Sequence, residues 1–280
     1  MHKHPFIRNL IIAFLGIITL AGCSQANDNE SDADGIARLK SISSVNADFS
    51  SNKDNPVDHN AWDVLLKKYV NEKGLVDYKG IMADSTSLNK YLNMLSANAP
   101  DAKLWSKNAQ LAYWINAYNA FTIQLIIRNY PVKSIKDIAG KIPLINTSWD
   151  IKFIHIGTNN YDLNNIEHGI IRKQFDEERI HFALVCAAVS CPHLRREAYT
   201  AKDLDEQLND QTTKFFNDKT INQISETKAV ISPILKWYGS DFRDKAADLR
   251  SYINRYSKVK INPGVAIDFG EYNWELNDQK

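Results

Sequence analysis

The chain contains, at residues 111–121, the stretch Leu-Ala-Tyr-Trp-Ile-Asn-Ala-Tyr-Asn-Ala-Phe. This pattern is apolar nearly all round, which is typical of a helix buried at the centre of a domain. Ser106 is predicted to cap the helix, which runs on to Asn129 and ends at Pro131. We therefore predict one long central helix around which the rest of the domain packs.

Two amides interrupt this apolar helix, at Asn116 and Asn119. A buried amide without partners costs about 1–3 kcal/mol, so something must bond to each of them. One interpretation is that they bond to loop backbone and fix the orientation of the helix. The other is that they bind a ligand.

Outward from the central helix, short helical patterns are interspersed with short extended ones, without a regular β-α-β order. The helical patterns cover residues 63–70, 88–95, 165–174, 203–216 and 246–256, and the extended ones cover 149–156, 180–186 and 229–231. Residues 149–163 are predicted to form a hairpin. The fold class predicted is α+β, a single mainly helical domain with a central buried helix and a small, mostly antiparallel sheet.

The composition excludes some classes of partner. With 34 basic and 33 acidic residues the charges balance, so no electrostatic case exists for nucleic acid. Hydrophobic residues make up 44% of the chain, and about 220 residues can bury one substantial core.

The first residues resemble a bacterial lipoprotein signal, with a basic start, a short apolar segment and small residues before Cys23. We expect residues 1–22 to be removed, Cys23 to carry lipid, residues 23–57 to form a flexible tether and residues 58–280 to form one globular domain. Ser24 follows the lipidation site. By resemblance to the sorting pattern of Gram-negative lipoproteins, this favours the outer membrane with the domain facing the periplasm.

Several long motifs occur in a fixed order along the chain. They are Ala112–Ala120, Pro131–Ile135, Ile166–Arg172, Arg179–Cys186, Ser190–Leu194 and Tyr272–Asn277. Together they resemble the domain-of-unknown-function 547 family, over about 58–277. The resemblance implies a family whose bacterial members look like secreted or lipid-anchored proteins, and it implies no particular activity.

With Cys23 lipidated, Cys186 and Cys191 are left as a pair in an oxidising compartment, which makes them a disulfide candidate. In the competing interpretation one of the two cysteines is a nucleophile, with Cys191 at the start of a helix as the case considered in detail. Pro192 then starts a short helix whose positive end lowers the thiol pKa. These two alternatives remain open from the sequence.

A nucleophilic cysteine needs a base and a group to orient that base. The candidate bases are His168, His181 and His193, and Glu167 is the candidate orienting carboxylate. Arg172 is explained nearly as well by a surface ion pair. These histidines and cysteines are also soft metal ligands, but no pair of them has a compact ligand spacing, so we predict no metal and no cofactor.

Two functions follow from these features. The first is a binding or structural module of the cell envelope with a local disulfide, attached to the membrane through its N-terminal lipid and contacting an envelope protein or peptide. The second is a cysteine-dependent hydrolase or acyltransferase acting in the periplasm. Under either function we interpret Trp149, Trp237 and Trp274 as core aromatics.

Overall fold

A computed structural model describes residues 52–139 and 146–279 of the chain. These residues fold as one unit. The signal peptide expected at 1–22, the lipidation site Cys23 and the tether up to residue 51 lie outside the described residues. Among the helices that the structure describes, none is long and apolar enough to cross a bilayer.

The mainly helical α+β fold predicted from the sequence is confirmed. The α-helices of the described residues span Asn60–Tyr69, Tyr78–Ala83, Ser85–Ala97, Lys107–Asn129, Lys136–Ala139, Arg172–Gln174, Leu204–Asn217, Ile234–Trp237, Gly239–Phe242 and Leu249–Tyr256. The same residues contain 3₁₀-helices at Ser148–Asp150 and Glu178–Phe182 and a π-helical segment at Asn165–Ile171.

The central helix is Lys107–Asn129, and every side chain over 109–126 is buried. The side chain of Ser106 accepts a hydrogen bond from the N–H of the third helical residue at 3.2 Å, which satisfies one of the free donors at the helix start. The helix ends before Tyr130, which is extended. That conformation is the one a following proline imposes, so both predicted helix ends are confirmed.

The strands form two small sheets instead of one. β1 (Ile154–Ile156) and β2 (Asn159–Tyr161) form the predicted antiparallel hairpin. In the second sheet β4 (Ala229–Ile231) pairs antiparallel with β3 (Gln223–Ile224) and parallel with β5 (Ile267–Phe269). The strand expected from residue 149 starts only at Ile154, because a 3₁₀ turn occupies Ser148–Asp150.

The strand predicted over residues 180–186 is wrong. The chain forms a 3₁₀-helix up to Phe182 and then continues without regular structure. The side chain of Asn119 explains this, because it donates to the carbonyl of Ala183 at 2.9 Å and accepts from the N–H of Val185 at 2.9 Å. A neighbouring strand would need these same backbone groups.

The helix predicted to begin at Cys191-Pro192 is also wrong, since residues 191–200 contain no helix. The N–H of Cys191 donates to the carbonyl of Ala188 at 3.0 Å and closes a tight turn. The sulfur of Cys191 is bonded to Cys186. The proposed lowering of its thiol pKa by a helix terminus therefore has no structural basis.

The C-terminal residues lie against the loop that joins the two cysteines. Asn277 donates from its backbone N–H to the carbonyl of Ala187 at 3.1 Å, and Val189 donates to the carbonyl of Glu275 at 2.8 Å. Tyr272 packs against both hydrophobic clusters of the domain, the larger one around the central helix and the smaller one around Phe182. The cysteine loop thus lies where the two clusters meet.

Candidate functional site

The candidate site is a cavity of 220 Å³ beside the cysteine loop. We call it the aromatic cavity after its five principal rings, which are Trp149, Trp237, Tyr238, Tyr272 and Trp274. Glu167 and His168 reach it from the π-helical segment, and its disulfide comes from the cysteine loop. A wider concavity of 690 Å³ near Asn108 and Lys202 is lined mainly by exposed polar side chains, and no aromatic ring is among the described residues that line it.

Cys186 and Cys191 form a disulfide that lines one side of the aromatic cavity. Their Cα atoms are 6.3 Å apart, within the range that a disulfide allows. The hydroxyl of Tyr272 lies 3.3 Å from the sulfur of Cys186 and 3.2 Å from that of Cys191. Ala187, within the loop, has φ of 59°, a backbone conformation that is sparsely populated outside glycine.

Glu167 provides the carboxylate of the aromatic cavity. Its side chain is buried, at 6% exposure, and its Oε1 accepts a hydrogen bond from the hydroxyl of Tyr238 at 2.7 Å. Burial first, and then the charge of Glu167, raises the pKa of Tyr118, Tyr238 and Tyr272. All three hydroxyls therefore stay protonated and can donate hydrogen bonds.

The backbone around Glu167 is unusual. Glu167 and His168 lie on the π-helical segment Asn165–Ile171, where the sequence predicts an ordinary helix. Segments with this wider turn are rare and are frequent at functional sites. The side chain of Asp162 accepts the backbone N–H of Asn165 at 2.6 Å and so fixes the start of the segment.

His168 lines the cavity next to Glu167, with its Nε2 3.9 Å from Oε1 of the carboxylate. Its other ring nitrogen, Nδ1, lies 2.9 Å from Nη1 of Arg172. A guanidinium can only donate, so Nδ1 is the acceptor in this contact.

Behind the cavity wall, Asp241 joins two of the groups singled out from the sequence. It accepts from Nε and Nη2 of Arg172, both at 2.6 Å, and its Oδ2 lies 2.8 Å from Nε2 of His181. The hydrogen bond from His181, followed by those from Arg172, holds the pKa of Asp241 far below its usual range. The ring of His181 stacks on that of Tyr238 with centroids 3.9 Å apart.

Asn116 and Asn119 lie away from the cavity lining and bond to backbone. Asn116 donates to the carbonyl of Tyr199 at 2.8 Å and accepts its N–H at 3.0 Å. Asn119 makes the corresponding pair of bonds to Ala183 and Val185. Each amide holds a loop against the central helix and has both of its polar atoms satisfied.

The structure brings together most of the residues that the sequence singled out. The five that line the aromatic cavity are Glu167, His168, His181, Cys186 and Cys191. His193, the third candidate base, is instead paired with Asp218 at 2.9 Å. Among the described residues, no group of three or more His, Cys, Asp or Glu side chains is arranged to hold a metal ion.

Sequence reasoning missed the C-terminal half of the cavity wall. Trp237, interpreted as a core residue, is 51% exposed and forms part of the cavity rim. Tyr238 and Asp241 carried no motif that marked them. Arg172 forms an ion pair, one of the two interpretations left open from the sequence, and its partner Asp241 lies 69 residues away in the chain.

No curated protein and no solved structure matches this chain. Residues 102–216 match the model of the family described as "Protein of unknown function, DUF547". This stretch holds the central helix, the π-helical segment and both cavity cysteines, whereas Trp237, Tyr272 and Trp274 lie beyond it. The wider span of 58–277, drawn from the motifs, stays a prediction. Residues 102–216 are thus similar to the family of unknown function 547 that the motifs of the chain resemble.

Proposed function

We propose that this protein is a binding module of the cell envelope and that its ligand site is the aromatic cavity. The observation that supports this most strongly is a preformed apolar cavity with one buried carboxylate, Glu167, at its wall. Ligand sites are typically concave and mostly apolar, with a few placed polar groups.

The rings of the cavity hold one another in place without a ligand. The ring centroids of Tyr272 and Trp274 are 4.6 Å apart, and those of Trp237 and Tyr272 are 4.9 Å apart. Aromatic pairs at these distances attract each other beyond simple burial. A volume of 220 Å³ is below the roughly 300–1,000 Å³ of drug-sized pockets. The ligand is therefore a small molecule or one end group of a larger one.

Fluorine NMR on protein labelled with 5-fluorotryptophan tests this function. Three of the six tryptophans line the cavity and three do not, namely Trp149, Trp237 and Trp274 against Trp62, Trp105 and Trp114. A panel of small amines, monosaccharides and N-acetylated short peptides would be titrated in. We expect at least one class to shift the cavity signals and leave the other signals unchanged. A panel that gives no selective shift would contradict the proposal.

We further propose that a lipid on Cys23 attaches the domain to the outer membrane, facing the periplasm. Two or three acyl chains are enough for stable anchoring. The variant Cys23→Ser should be released as soluble protein into the periplasm, and globomycin should cause the precursor of the unaltered protein to accumulate. Unchanged membrane partitioning of the variant would overturn the anchor.

A cysteine-dependent hydrolase or acyltransferase is the second candidate function. One observation favours it, because both sulfurs line the same cavity as His168 and His181. It requires the disulfide to be reduced, since a thiolate is the nucleophile. Intact mass of unreduced periplasmic protein, with and without alkylation, separates the two functions. The binding module predicts two missing hydrogens and no alkylation, whereas the enzyme predicts a thiol that alkylates rapidly.

A further inference from the structure

We propose that the ligand of the aromatic cavity is a small organic cation, with an ammonium group of the quaternary or methylated type. This inference rests on the proposed function and names the chemical class that the cavity binds. It follows from the charge of Glu167 and from the rings that surround it.

The charges around the cavity provide the first observation. Within the described residues, no lysine or arginine lines the aromatic cavity. The basic side chain in contact with Glu167 is that of His168, whose Nε2 lies 3.9 Å from Oε1 of the carboxylate, and Nη1 of Arg172 lies 2.9 Å from Nδ1 of the same ring. Among the described residues, no lysine or arginine lies in direct contact with the carboxylate of Glu167, and the guanidinium of Arg172 acts on it only from outside the cavity lining.

The buried glutamate Glu178 shows which contact Glu167 lacks. Glu178 is also buried and also accepts from a tyrosine, Tyr252, at 3.0 Å. Glu178, however, has the ammonium of Lys245 at 3.7 Å. A buried carboxylate is costly unless it is paired. A cationic ligand would give Glu167 the direct contact that Lys245 makes with Glu178.

The aromatic rings of the cavity provide the second observation. Faces of tryptophan and tyrosine attract cations within about 6 Å of the ring centroid, and cages of such rings bind methylated ammonium groups. Two cationic side chains of the protein already lie against rings of the aromatic cavity, although neither side chain lines the cavity. The ammonium of Lys136 lies 4.8 Å from the centroid of Trp274, and the guanidinium of Arg172 lies 5.1 Å from that of Tyr238.

The test compares choline with 3,3-dimethyl-1-butanol, its uncharged carbon isostere of the same shape. Both would be titrated into the unaltered protein by calorimetry, with the fluorotryptophan signals as the report of location. We expect choline to bind at least about tenfold more tightly, which corresponds to about 1.4 kcal/mol. We expect it to shift the signals of Trp149, Trp237 and Trp274.

Three variants sharpen the comparison. Glu167→Gln keeps the shape of the side chain and removes its charge, so the preference for choline should vanish. Glu178→Gln removes the other buried carboxylate and should keep the preference. Trp237→Leu removes an aromatic face from the exposed rim of the cavity, and it should weaken the binding of choline more than the binding of the isostere. Trp237→Leu keeps the proposal falsifiable should Glu167→Gln fail to fold.

The outcomes separate the inference from the proposed function. Two results would overturn the assignment of a cationic ligand and leave the cavity as a binding site. One is equal affinity for choline and its isostere. The other is selective binding of a monosaccharide that Glu167→Gln leaves unchanged. Failure of every probe to shift the cavity tryptophans would overturn both. A preference for choline that depends on Glu167 supports both.

Discussion

At the scale of single residues, Asn119 shows how one side chain takes the place of a strand. Its amide bonds in both directions to the backbone of Ala183 and Val185, and it is 3% exposed. The apolar run at 180–186 has the composition of a buried strand, but its backbone is already paired with the central helix. Local periodicity does not contain this information.

Replacing Asn119 with alanine should therefore destabilise the domain strongly. The variant Asn119→Ala leaves a buried N–H and a buried carbonyl without partners, each costing about 1–3 kcal/mol, so we expect a loss of roughly 2–4 kcal/mol. Urea denaturation measures it. The control Asn209→Ala, on the exposed face of a helix, should change stability by less than about 0.5 kcal/mol. Equal effects of the two variants would contradict the assigned role.

Asp241 makes a prediction about pH. Because His181 and Arg172 depress its pKa in the folded protein, ionised Asp241 stabilises the fold above its unfolded pKa of about 3.9. This contribution is lost as the pH falls through and below that value.

We expect the free energy of unfolding to decrease from about pH 5 down to about pH 2, and to decrease less steeply in Asp241→Asn. Denaturant titrations of both proteins over this pH range give the two slopes. Identical slopes would show that Asp241 carries no depressed pKa.

At the scale of elements, the sequence predicts long elements well and short irregular ones poorly. The central helix can be predicted because its capping residue, its apolar surface and the proline that ends it all lie in one continuous stretch of sequence. The π-helical segment at Asn165–Ile171 has no such local marker. Its side chains contact Tyr238 and Arg172, and the latter is fixed by Asp241 far along the chain.

Three glycines differ in backbone conformation and in the space around them, so replacing each with alanine tests how these two factors affect stability. Gly74 has φ of +69°, and a Cβ there would lie 2.6 Å from Cβ of His193. Gly264 has φ of +84° with open space around it, and Gly239 has open space and an ordinary φ.

Alanine at these three positions should therefore have three different effects. Gly239→Ala should change stability by less than about 1 kcal/mol. Gly264→Ala should cost about 1–2 kcal/mol for the left-handed conformation alone. Gly74→Ala should cost still more, because the contact with His193 adds to the strain. Thermal unfolding ranks them, and a Gly74→Ala variant as stable as Gly264→Ala would contradict the close contact.

At the scale of the whole molecule, the site is assembled from distant parts of the chain. Glu167, His168 and the two cysteines are visible in the sequence, as titratable residues in dense motifs. Tyr272 and Trp274 reach the same cavity because the C-terminal residues fold back over the cysteine loop, and Tyr238 reaches it from the end of the helix Ile234–Trp237. The candidate residues could thus be named from the sequence, whereas the aromatic wall that gives them a binding role could not.

Binding of a cation between Glu167 and the aromatic rings is the central claim about this protein. A crystal structure of the protein grown with choline tests this claim most directly. We predict the trimethylammonium group in the aromatic cavity, against the carboxylate of Glu167 and within about 6 Å of the ring centroids. A structure with choline bound elsewhere, or with only water against Glu167, would contradict the claim.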